Sequence, residues 1–500
     1  MSTEFPNIEP LRRLPTGIRG YEHISLGGLV AGRTTLLVGT SGSGKTLFAT
    51  ELLYRSIKEF NRPAVFVTFE EKPADIIRNV QRLNWDLAAL LKESRLVILD
   101  ASMGHDVIRE AGTFDLSGII SQILDAVKEI DAKLVVLDSL GALFSQFENP
   151  GILRREILRI TDLLKEHGVT CLMTAERLDE YGPITRFGIE EFVSDCVVVL
   201  RQHLYEEKVR RTIQVYKLRG DRHHKDEFPF TIESEGFCIL PLSAAELTQA
   251  SSVERVSFGN AKIDQMAGGG LFHDSVILVS GPTGSGKTLM GATFASEACK
   301  RGERVLLLGY EESRPQLIRN AASWGLDFHG WEKAGLLRMV CRYPEAQGLE
   351  GHLYSIEKEI QEFKPSRLVL DSVSALERIG GVRNFREFVI GLTGFVKQHQ
   401  ICSLFTSSSP SLSGGDSITD AHISTITDAI VLLRYVESKG SLGRGVIIIK
   451  MRGSQHDKQF HEFEITSNGL KIGSPFVHVP AALLGIPSSG DMNDEDSINR

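Results

Sequence analysis

The 500-residue sequence predicts two tandem α/β domains, each built around a mainly parallel, twisted sheet. Two observations lead to this prediction. The same set of short motifs occurs twice in the same order, and in each half short runs of valine, isoleucine and leucine alternate with longer amphipathic stretches such as GILRREILRITDLLKEHG. Continuous apolar runs are typical of buried parallel strands, and amphipathic stretches are typical of the helices that cover them.

A glycine-rich motif comes first in each half. Residues 39–46 read GTSGSGKT and residues 281–288 read GPTGSGKT, each between a strand-like run and a helix-like segment. In the G-x-x-x-x-G-K-[ST] loop of P-loop NTPases, backbone N–H groups at a helix N-terminus cradle phosphates. We therefore predict nucleotide binding by Gly39, Thr40, Ser41, Gly42, Ser43, Gly44, Lys45, Thr46, Gly281, Pro282, Thr283, Gly284, Ser285, Gly286, Lys287 and Thr288.

Within these loops the lysines and threonines have separate expected roles. Lys45 and Lys287 are expected to reach the β- and γ-phosphates of ATP, and the hydroxyls of Thr46 and Thr288 are expected to bind Mg²⁺. A single motif of this kind can be a plain turn between a strand and a helix. Two copies in the same context favour nucleotide binding.

Acidic residues close the next apolar runs of both halves. Asp138 ends LVVLD and Asp371 ends LVLD, which is the position expected for a carboxylate that holds the Mg²⁺ hydration shell. Two glutamate pairs also close strand-like runs, and one carboxylate of each pair is expected to polarise an attacking water or hydroxyl. An isolated pair of glutamates would more often begin a solvated helix, but the repetition favours chemistry. The predicted catalytic residues are Glu70, Glu71, Glu311 and Glu312.

Two basic pairs recur near the end of each half, in KLRG and KMRG. Lys217 with Arg219, and Lys450 with Arg452, place two cations two residues apart and hence on one side of a strand. They lie far along the chain from the glycine-rich loops, so they are expected to serve the nucleotide of a neighbouring subunit. Plain surface charge is an equally open interpretation at this stage.

The halves differ at one informative place. Ser424 and Thr425 in HISTITDAIVLLR align with Glu191 and Phe192 in EEFVSDCVVVLR, so only the second half has hydroxyls there. These hydroxyls are candidate phosphorylation sites, although a Ser-Thr pair in such a sequence is usually structural. The expected domains are residues 1–245 and 246–474, followed by a flexible tail at 475–500, because strand-like patterning lapses near 241–259.

The composition limits the partners of the protein. A net charge of −8 provides no global cationic field for nucleic acid or an anionic membrane, so we expect neither. The six cysteines lack the close spacing of zinc sites or redox dithiols. The chain has no signal-peptide pattern and no run of about 18 apolar residues, so a cytoplasmic location is expected.

Together these residues resemble the KaiC family of circadian-clock ATPases and autokinases, which are duplicated RecA-like P-loop proteins. The similarity covers about residues 15 to 470 and includes TFEEKPADIIRN, YEESRPQLIRNAASWGLDF, ITDAHISTITDAI and KMRGSQHDK. It implies two RecA-like domains and a two-tiered homohexamer with ATP and Mg²⁺ between adjacent subunits in both rings. It further implies slow ATP hydrolysis in the first domain and autophosphorylation in the second.

The resemblance also implies roles for particular residues and partners. Ser424 and Thr425 match the family's phosphorylation sites, and Thr419 matches a nearby hydroxyl that influences them. The basic pairs match residues that reach the neighbouring subunit's nucleotide. A KaiB-like partner is expected on the first domain, near WDLAALLKESRLVILDAS, whereas the tail departs from the family's pattern and puts KaiA binding in doubt.

Two other functions are compatible with the same motifs. The RecA-like core is shared with recombinase-like ATPases that bind DNA, but this chain has no basic arm and no run of aromatic and basic residues on which bases would stack. The second alternative is a nucleotide-gated scaffold with negligible turnover. The acidic residues present in both halves argue against it.

Overall fold

The computed structural model describes residues 11–102, 116–144, 150–186, 188, 190–205, 208–241, 251–408, 423–438 and 441–476. Contacts within the chain divide it into two units, Met1–Ala244 and Ala245–Arg500. Each unit contains a small two-stranded sheet and a nine-stranded sheet in its described part. Pro475 ends the last strand and Phe476 N donates to Phe460 O at 2.8 Å, so the second sheet extends slightly past the expected boundary at residue 474.

The strands of the first unit are β1 (Arg13–Leu14), β2 (Leu29–Val30), β3 (Thr34–Gly39), β4 (Ala64–Thr68), β5 (Leu96–Asp100), β6 (Leu134–Asp138), β7 (Thr170–Glu176), β8 (Cys196–Tyr205), β9 (Lys208–Leu218), β10 (Phe228–Glu233) and β11 (Gly236–Ile239). Its helices are α1 (Tyr21–Ser25), α2 (Lys45–Phe60), α3 (Pro73–Val80), α4 (Leu87–Lys92), α5 (Ser117–Glu129), α6 (Leu140–Phe144), α7 (Pro150–Glu166) and α8 (Glu190–Val193).

The strands of the second unit are β12 (Arg255–Val256), β13 (Leu271–Phe272), β14 (Val276–Gly281), β15 (Val305–Gly309), β16 (Leu337–Cys341), β17 (Arg367–Asp371), β18 (Cys402–Ser408), β19 (Ala429–Ser438), β20 (Ser441–Met451), β21 (His461–Thr466) and β22 (Gly469–Pro475). Its helices are α9 (Ala261–Met266), α10 (Lys287–Lys300), α11 (Arg314–Ser323), α12 (Phe328–Lys333), α13 (Leu349–Phe363), α14 (Val373–Glu377) and α15 (Gly381–Gln398).

The two large sheets have equivalent strand orders. The first runs β11-β10-β9-β8-β3-β7-β6-β4-β5 and the second runs β22-β21-β20-β19-β14-β18-β17-β15-β16 when read in the same direction. In each sheet six neighbouring strands pair in parallel, beginning with β8 in the first sheet and with β19 in the second. The three strands on the other side of β8 or β19 pair antiparallel. The predicted fold of two tandem, mainly parallel α/β domains is confirmed.

The alternation of side chains along the central strand explains why helices cover both faces of the first sheet. Leu37 of β3 packs with Phe48 of α2 in one buried cluster, whereas Leu36 packs with residues of α5 and α7 in another. Successive side chains of a strand point to opposite faces, so a strand made of apolar residues needs helices on both sides. This layering leaves the carboxyl edge of the parallel strands free for the loops that carry polar residues.

Candidate functional site

Each glycine-rich loop lies between a central parallel strand and the helix that follows it. In the first unit the loop connects β3 to α2, and in the second it connects β14 to α10. Gly44 and Gly286 precede the helices with φ values of 100° and 105°, a left-handed conformation that favours glycine. A Cβ at Gly286 would also lie 2.8 Å from the Phe463 ring. The sequence therefore needs glycine at this position to bring the loop onto the helix N-terminus.

The loop lysine of the first unit folds back over its own loop. Lys45 Nζ donates to the carbonyl oxygens of Gly39 and Thr40 at 3.0 and 2.9 Å. Burial lowers the pKa of Lys45, and the carboxylates of Glu176 and Asp138 act in the opposite direction. The ammonium group is therefore held at the mouth of the loop, where it can exchange two carbonyl oxygens for phosphate oxygens.

The predicted metal ligands of the first unit contact each other. The Asp138 carboxylate accepts hydrogen bonds from the hydroxyls of Thr46 and Thr174. Burial raises the pKa of Asp138, and these two hydrogen bonds together with Lys45 oppose that rise. A hydroxyl beside a carboxylate is an oxygen donor set suited to Mg²⁺, which keeps several waters and binds few protein ligands.

The two glutamates of the first unit lie beside Asp138. Ser139 Oγ donates to Glu70 Oε1 at 2.9 Å, and Asn79 Nδ2 donates to Glu71 Oε2 at 3.3 Å. Burial raises the pKa of Glu71, and the nearby carboxylate of Asp138 adds to the rise. These residues line a cavity of about 360 Å³ together with the glycine-rich loop.

The second unit repeats this arrangement. Lys287 Nζ donates to the carbonyl oxygens of Gly281 and Pro282 at 2.9 and 3.0 Å. Asp371 accepts from the hydroxyls of Thr288 and Thr406, and burial raises its pKa. The structure therefore brings the predicted metal ligands together in both units.

The second pair of glutamates has equivalent partners. Ser372 Oγ donates to Glu311 Oε1 at 2.8 Å, and Asn320 Nδ2 donates to Glu312 Oε2 at 3.1 Å. Burial raises the pKa of Glu312, an effect that the Asn320 hydrogen bond opposes. The peptide bond before Ser372 is cis, as is the bond before Ser139 in the first unit.

The two loops are anchored by different residues. Thr40 Oγ1 donates to Glu180 Oε1 at 2.5 Å, and Gln202 Nε2 donates to Ser41 O at 2.7 Å. In the second unit the hydroxyl of Tyr435 donates to Thr283 O at 3.2 Å instead. The two loops therefore share the glycines, the serine, the lysine and the threonine of their motif but not the side-chain contacts that anchor them.

The candidate phosphorylation sites lie just before β19. Ser424 is half-buried and Thr425 is exposed. Lys450 Nζ donates to the carbonyl oxygens of Ser424 and Thr427, and Arg452 Nη2 donates to Thr425 O at 2.6 Å. The sequence alone allows a functional role or plain surface charge for this basic pair, and in the structure the pair holds the backbone of the candidate acceptor segment of its own chain.

The first unit has the same contacts without the hydroxyls. Lys217 Nζ donates to the carbonyl oxygens of Glu191 and Ser194 at 2.6 and 2.9 Å, and Arg219 Nη2 donates to Phe192 O at 3.3 Å. The Glu191 side chain accepts from Thr185 Oγ1 at 2.5 Å. The alignment of Glu191 and Phe192 with Ser424 and Thr425 therefore agrees with the contacts of the two basic pairs.

The candidate acceptor segment and the glycine-rich loop of the same chain lie at opposite edges of the sheet. Asp428 N donates to Val276 O at 2.8 Å, at the beginning of β14. Gly281, where the loop begins, is the last residue of β14, which places the loop roughly 16 Å further along the strand. The structure does not bring Ser424 or Thr425 to the loop of their own chain.

Several residues of the two sites are not predicted by the sequence motifs. The serines Ser139 and Ser372 contact the glutamates, and the threonines Thr174 and Thr406 contact the aspartates. All four recur at matching places in the two halves, and that repetition is the signal by which they could have been found. Thr419 lies outside the described residues.

The fold and the two sites define a P-loop ATPase with two RecA-like domains. The chain belongs to the KaiC ATPase family, because the family model described as "ATPase: KaiC" matches residues 14–244 and again residues 256–476. The resemblance seen in the sequence is thereby confirmed. Among the described residues, none of the helices combines the length and the apolar character needed to span a bilayer.

Curated relatives of nearly the same length support the family assignment. The chain is 50% identical to the circadian clock oscillator protein KaiC of Picosynechococcus sp., over 99% of this chain and 96% of that protein. It is 51% identical to the protein of the same name from Thermosynechococcus vestitus, over 98% of this chain and 94% of that protein. It is 49% identical to the protein of the same name from Parasynechococcus marenigrum, over 98% of this chain and 96% of that protein. The chain is thus a KaiC-like ATPase whose relatives are clock proteins.

Proposed function

We propose that this chain is a clock ATPase and autokinase that assembles into a two-tiered homohexamer. In this proposal the first domain hydrolyses ATP with Mg²⁺, and the second transfers the γ-phosphoryl group of ATP to Ser424 or Thr425. Family membership supports the ATPase activity. The hydroxyls of Ser424 and Thr425, which have no counterpart in the first half, support the kinase activity. The observation that carries the assembly is the separation between the acceptor segment and the glycine-rich loop of the same chain.

This separation favours a donor nucleotide on another chain. The acceptor segment is level with Val276 and the loop begins at Gly281, roughly 16 Å away along β14. Phosphoryl transfer needs the attacking oxygen within about 3.5 Å of phosphorus. A rigid central strand does not close that gap, whereas in the proposed ring the amino edge of one sheet would lie beside the carboxyl edge of the next. The same reasoning applies to Lys217 and Arg219 in the first domain.

The residues of the second site have distinct roles in this proposal. Lys287 and the loop amides bind the β- and γ-phosphates. Thr288 and Asp371 fit Mg²⁺, which when bound supplies positive charge to the phosphates. Of the predicted pair Glu311 and Glu312, we assign the base to Glu311, because Ser372 Oγ holds its carboxylate at 2.8 Å. Glu311 accepts the proton of the acceptor hydroxyl while the hydroxyl oxygen forms a bond to the γ-phosphorus and the bond from that phosphorus to ADP breaks.

The first site uses the same residue types with a different nucleophile. Lys45 and the loop amides bind phosphates, Thr46 and Asp138 fit Mg²⁺, and Glu70 or Glu71 orients a water in place of a hydroxyl. Ser139 fixes the Glu70 carboxylate through its hydrogen bond of 2.9 Å. The absence of a hydroxyl at Glu191 and Phe192 supports hydrolysis rather than self-modification in this domain.

Partners and location complete the proposal. We assign a cytoplasmic location and a KaiB-like partner that binds the first domain near α4 (Leu87–Lys92) and β5 (Leu96–Asp100), in the segment that carries WDLAALLKESRLVILDAS. The family resemblance supports this partner. KaiA binding is not proposed, because the sequence after residue 475 departs from the family's pattern.

The direct test is incubation of the purified protein with γ-labelled ATP and Mg²⁺. We expect label on Ser424 or Thr425, and its loss in the double variant Ser424→Ala/Thr425→Ala. Glu311→Gln should suppress the transfer while the protein stays folded, because the amide keeps the shape of the carboxylate but does not accept the proton. Full labelling of the double alanine variant would rule out these acceptors.

A further inference from the structure

A buried polar contact lies directly behind Glu311 in the second unit. Tyr310 immediately precedes Glu311, and its hydroxyl lies 3.4 Å from His352 Nδ1 of α13. The two rings pack edge to face with their centroids 5.2 Å apart. Tyr310 is 8% exposed and His352 is 1% exposed. The end of β15 is therefore tied to a different helix one residue before the predicted catalytic base.

The contacts of His352 fix which ring nitrogen carries the proton. His352 Nε2 lies 2.9 Å from the carbonyl oxygen of Pro344, which only accepts hydrogen bonds. A hydrogen on Nε2 fits this contact and makes Nδ1 the nitrogen that accepts through its lone pair. Gln347 Nε2 donates to this lone pair at 3.1 Å, and the Tyr310 hydroxyl shares it at 3.4 Å. Burial raises the pKa of Tyr310, which keeps the hydroxyl protonated as a donor.

Both ends of Tyr310 are thus held. Its backbone N donates to Asp371 O at 2.8 Å, and its hydroxyl reaches His352. Glu311, the next residue, is held in turn by Ser372 Oγ at 2.8 Å. The position of the Glu311 carboxylate therefore depends on two supports, one from Ser372 and one through Tyr310.

The first unit has only part of this arrangement. Phe69 occupies the place of Tyr310, is buried, and donates its backbone N–H to Asp138 O at 2.8 Å. A phenylalanine has no hydroxyl, so it does not form the hydrogen bond to a histidine. The two domains thus have equivalent glutamates with different side-chain support.

We propose that Tyr310 and His352 are positioning residues of the second domain, which align Glu311 with the hydroxyl of a protein acceptor. This inference rests on the proposed autokinase function. A water can reorient around a base, whereas a hydroxyl held on a neighbouring chain approaches from one direction. A base that serves a fixed acceptor therefore needs a more closely fixed carboxylate, because small displacements lower the rate steeply.

The test is Tyr310→Phe, which gives the second domain the residue of the first and removes one oxygen atom. Two quantities are measured in the full chain: label on Ser424 and Thr425, and the part of ATP turnover that Lys287→Ala abolishes. We expect the labelling rate to fall by about tenfold with the KM for ATP unchanged, because the nucleotide contacts are not altered. Tyr354→Phe, which removes another buried tyrosine hydroxyl of the same domain, is the matched control and should label normally.

A second variant pair separates positioning from folding. His352→Leu should lower the labelling rate as Tyr310→Phe does, and His352→Asn should restore much of it, because the Asn side-chain oxygen accepts in place of Nδ1. Phe69→Tyr in the first domain should leave labelling unchanged.

The outcomes distinguish this inference from the proposed function. Normal labelling by Tyr310→Phe, or a raised KM with an unchanged maximal rate, overturns the positioning role while the autokinase proposal stands. If the wild-type protein acquires no label, the autokinase proposal fails, and the positioning role fails with it because it requires a protein acceptor. Second-domain ATP turnover that falls as far as the labelling in Tyr310→Phe would also overturn it, because a water can reorient around the base and should react nearly as before.

Discussion

Arg452 Nη2 lies 2.6 Å from the carbonyl oxygen of Thr425, so a basic residue after β20 holds a candidate phosphorylation site of its own chain. Arg452 also lies 3.5 Å from Asp428, which pairs with Lys397 at 2.8 Å. A guanidinium has several donors in a fixed plane, so it can hold the Thr425 backbone and still have N–H groups for the proposed contact with a nucleotide on a neighbouring chain. Arg452 could thus both anchor the acceptor segment of its own chain and serve the nucleotide of a neighbouring chain.

Replacement of Arg452 should therefore impair phosphorylation more than hydrolysis. In Arg452→Ala the segment loses the anchor at Thr425 while Lys450 still holds Ser424 and Thr427, and we expect labelling of Ser424 and Thr425 to fall by about tenfold. The first-domain share of ATP turnover should remain. The measurement is label incorporation together with ADP release, and Arg219→Ala is the matched change in the first domain. Equal labelling by wild type and Arg452→Ala would show that the anchor has no part in transfer.

The magnesium ligands give a second prediction. Removal of Mg²⁺ with EDTA should stop both labelling and ATP turnover, and added Mg²⁺ should restore them. Thr288→Ala should raise the Mg²⁺ concentration needed for half-maximal labelling, because the variant lacks the hydroxyl beside Asp371. Thr46→Ala should affect first-domain turnover in the same way and leave labelling less affected. If Thr288→Ala shows the wild-type Mg²⁺ dependence, the ligand assignment is wrong.

A buried glutamate on α2, the helix that follows the first glycine-rich loop, predicts that stability depends on pH. Burial raises the pKa of Glu51 to about 7, although Phe237 N and Arg55 Nε donate to its carboxylate, each at 2.7 Å. Between the ordinary value of 4.5 and about 7 the folded state binds a proton that the unfolded state has released. The contribution of Glu51 to stability is therefore greatest at low pH and falls as the pH rises through this range.

The variant Glu51→Gln tests this sign. The amide oxygen still accepts from Phe237 N but does not titrate. Between pH 5 and pH 8 the unfolding free energy of Glu51→Gln should improve relative to wild type by on the order of 3 kcal/mol as an upper bound. Denaturant unfolding at both pH values measures it. Glu59→Gln is the control, because it also removes a partner of Arg55 but at a position that is 42% exposed. Its unfolding free energy should change with pH as that of the wild type does.

The sequence was sufficient to predict the fold, and the residues it predicts for the nucleotide site lie together around the glycine-rich loop of the first unit. Both depend on local patterns: apolar runs identify parallel strands, and the loop motif fixes a strand, a turn and a helix within a few positions. Asp138 and Glu70 are predicted to lie together because each closes an apolar run and neighbouring parallel strands end at one edge of the sheet.

The supporting contacts were not predictable in the same way. Thr174 reaches Asp138 from 36 positions away along the chain, and Tyr310 meets His352 from 42 positions away. These pairs depend on helix and loop packing, which a periodic pattern does not specify. The location of Ser424 at the far edge from Gly281 likewise depends on the order and direction of β14 and β19, not on any motif.

The central claim is that one chain donates the phosphoryl group and its neighbour accepts it. It is tested most directly by assembling rings from two distinguishable variants, Lys287→Ala, which keeps its acceptors, and Ser424→Ala/Thr425→Ala, which keeps its nucleotide site. We predict label on Ser424 or Thr425 of the Lys287→Ala chain in mixed rings, and none in rings of either variant alone. Mixed rings without label, under conditions in which wild-type rings label fully, would contradict it.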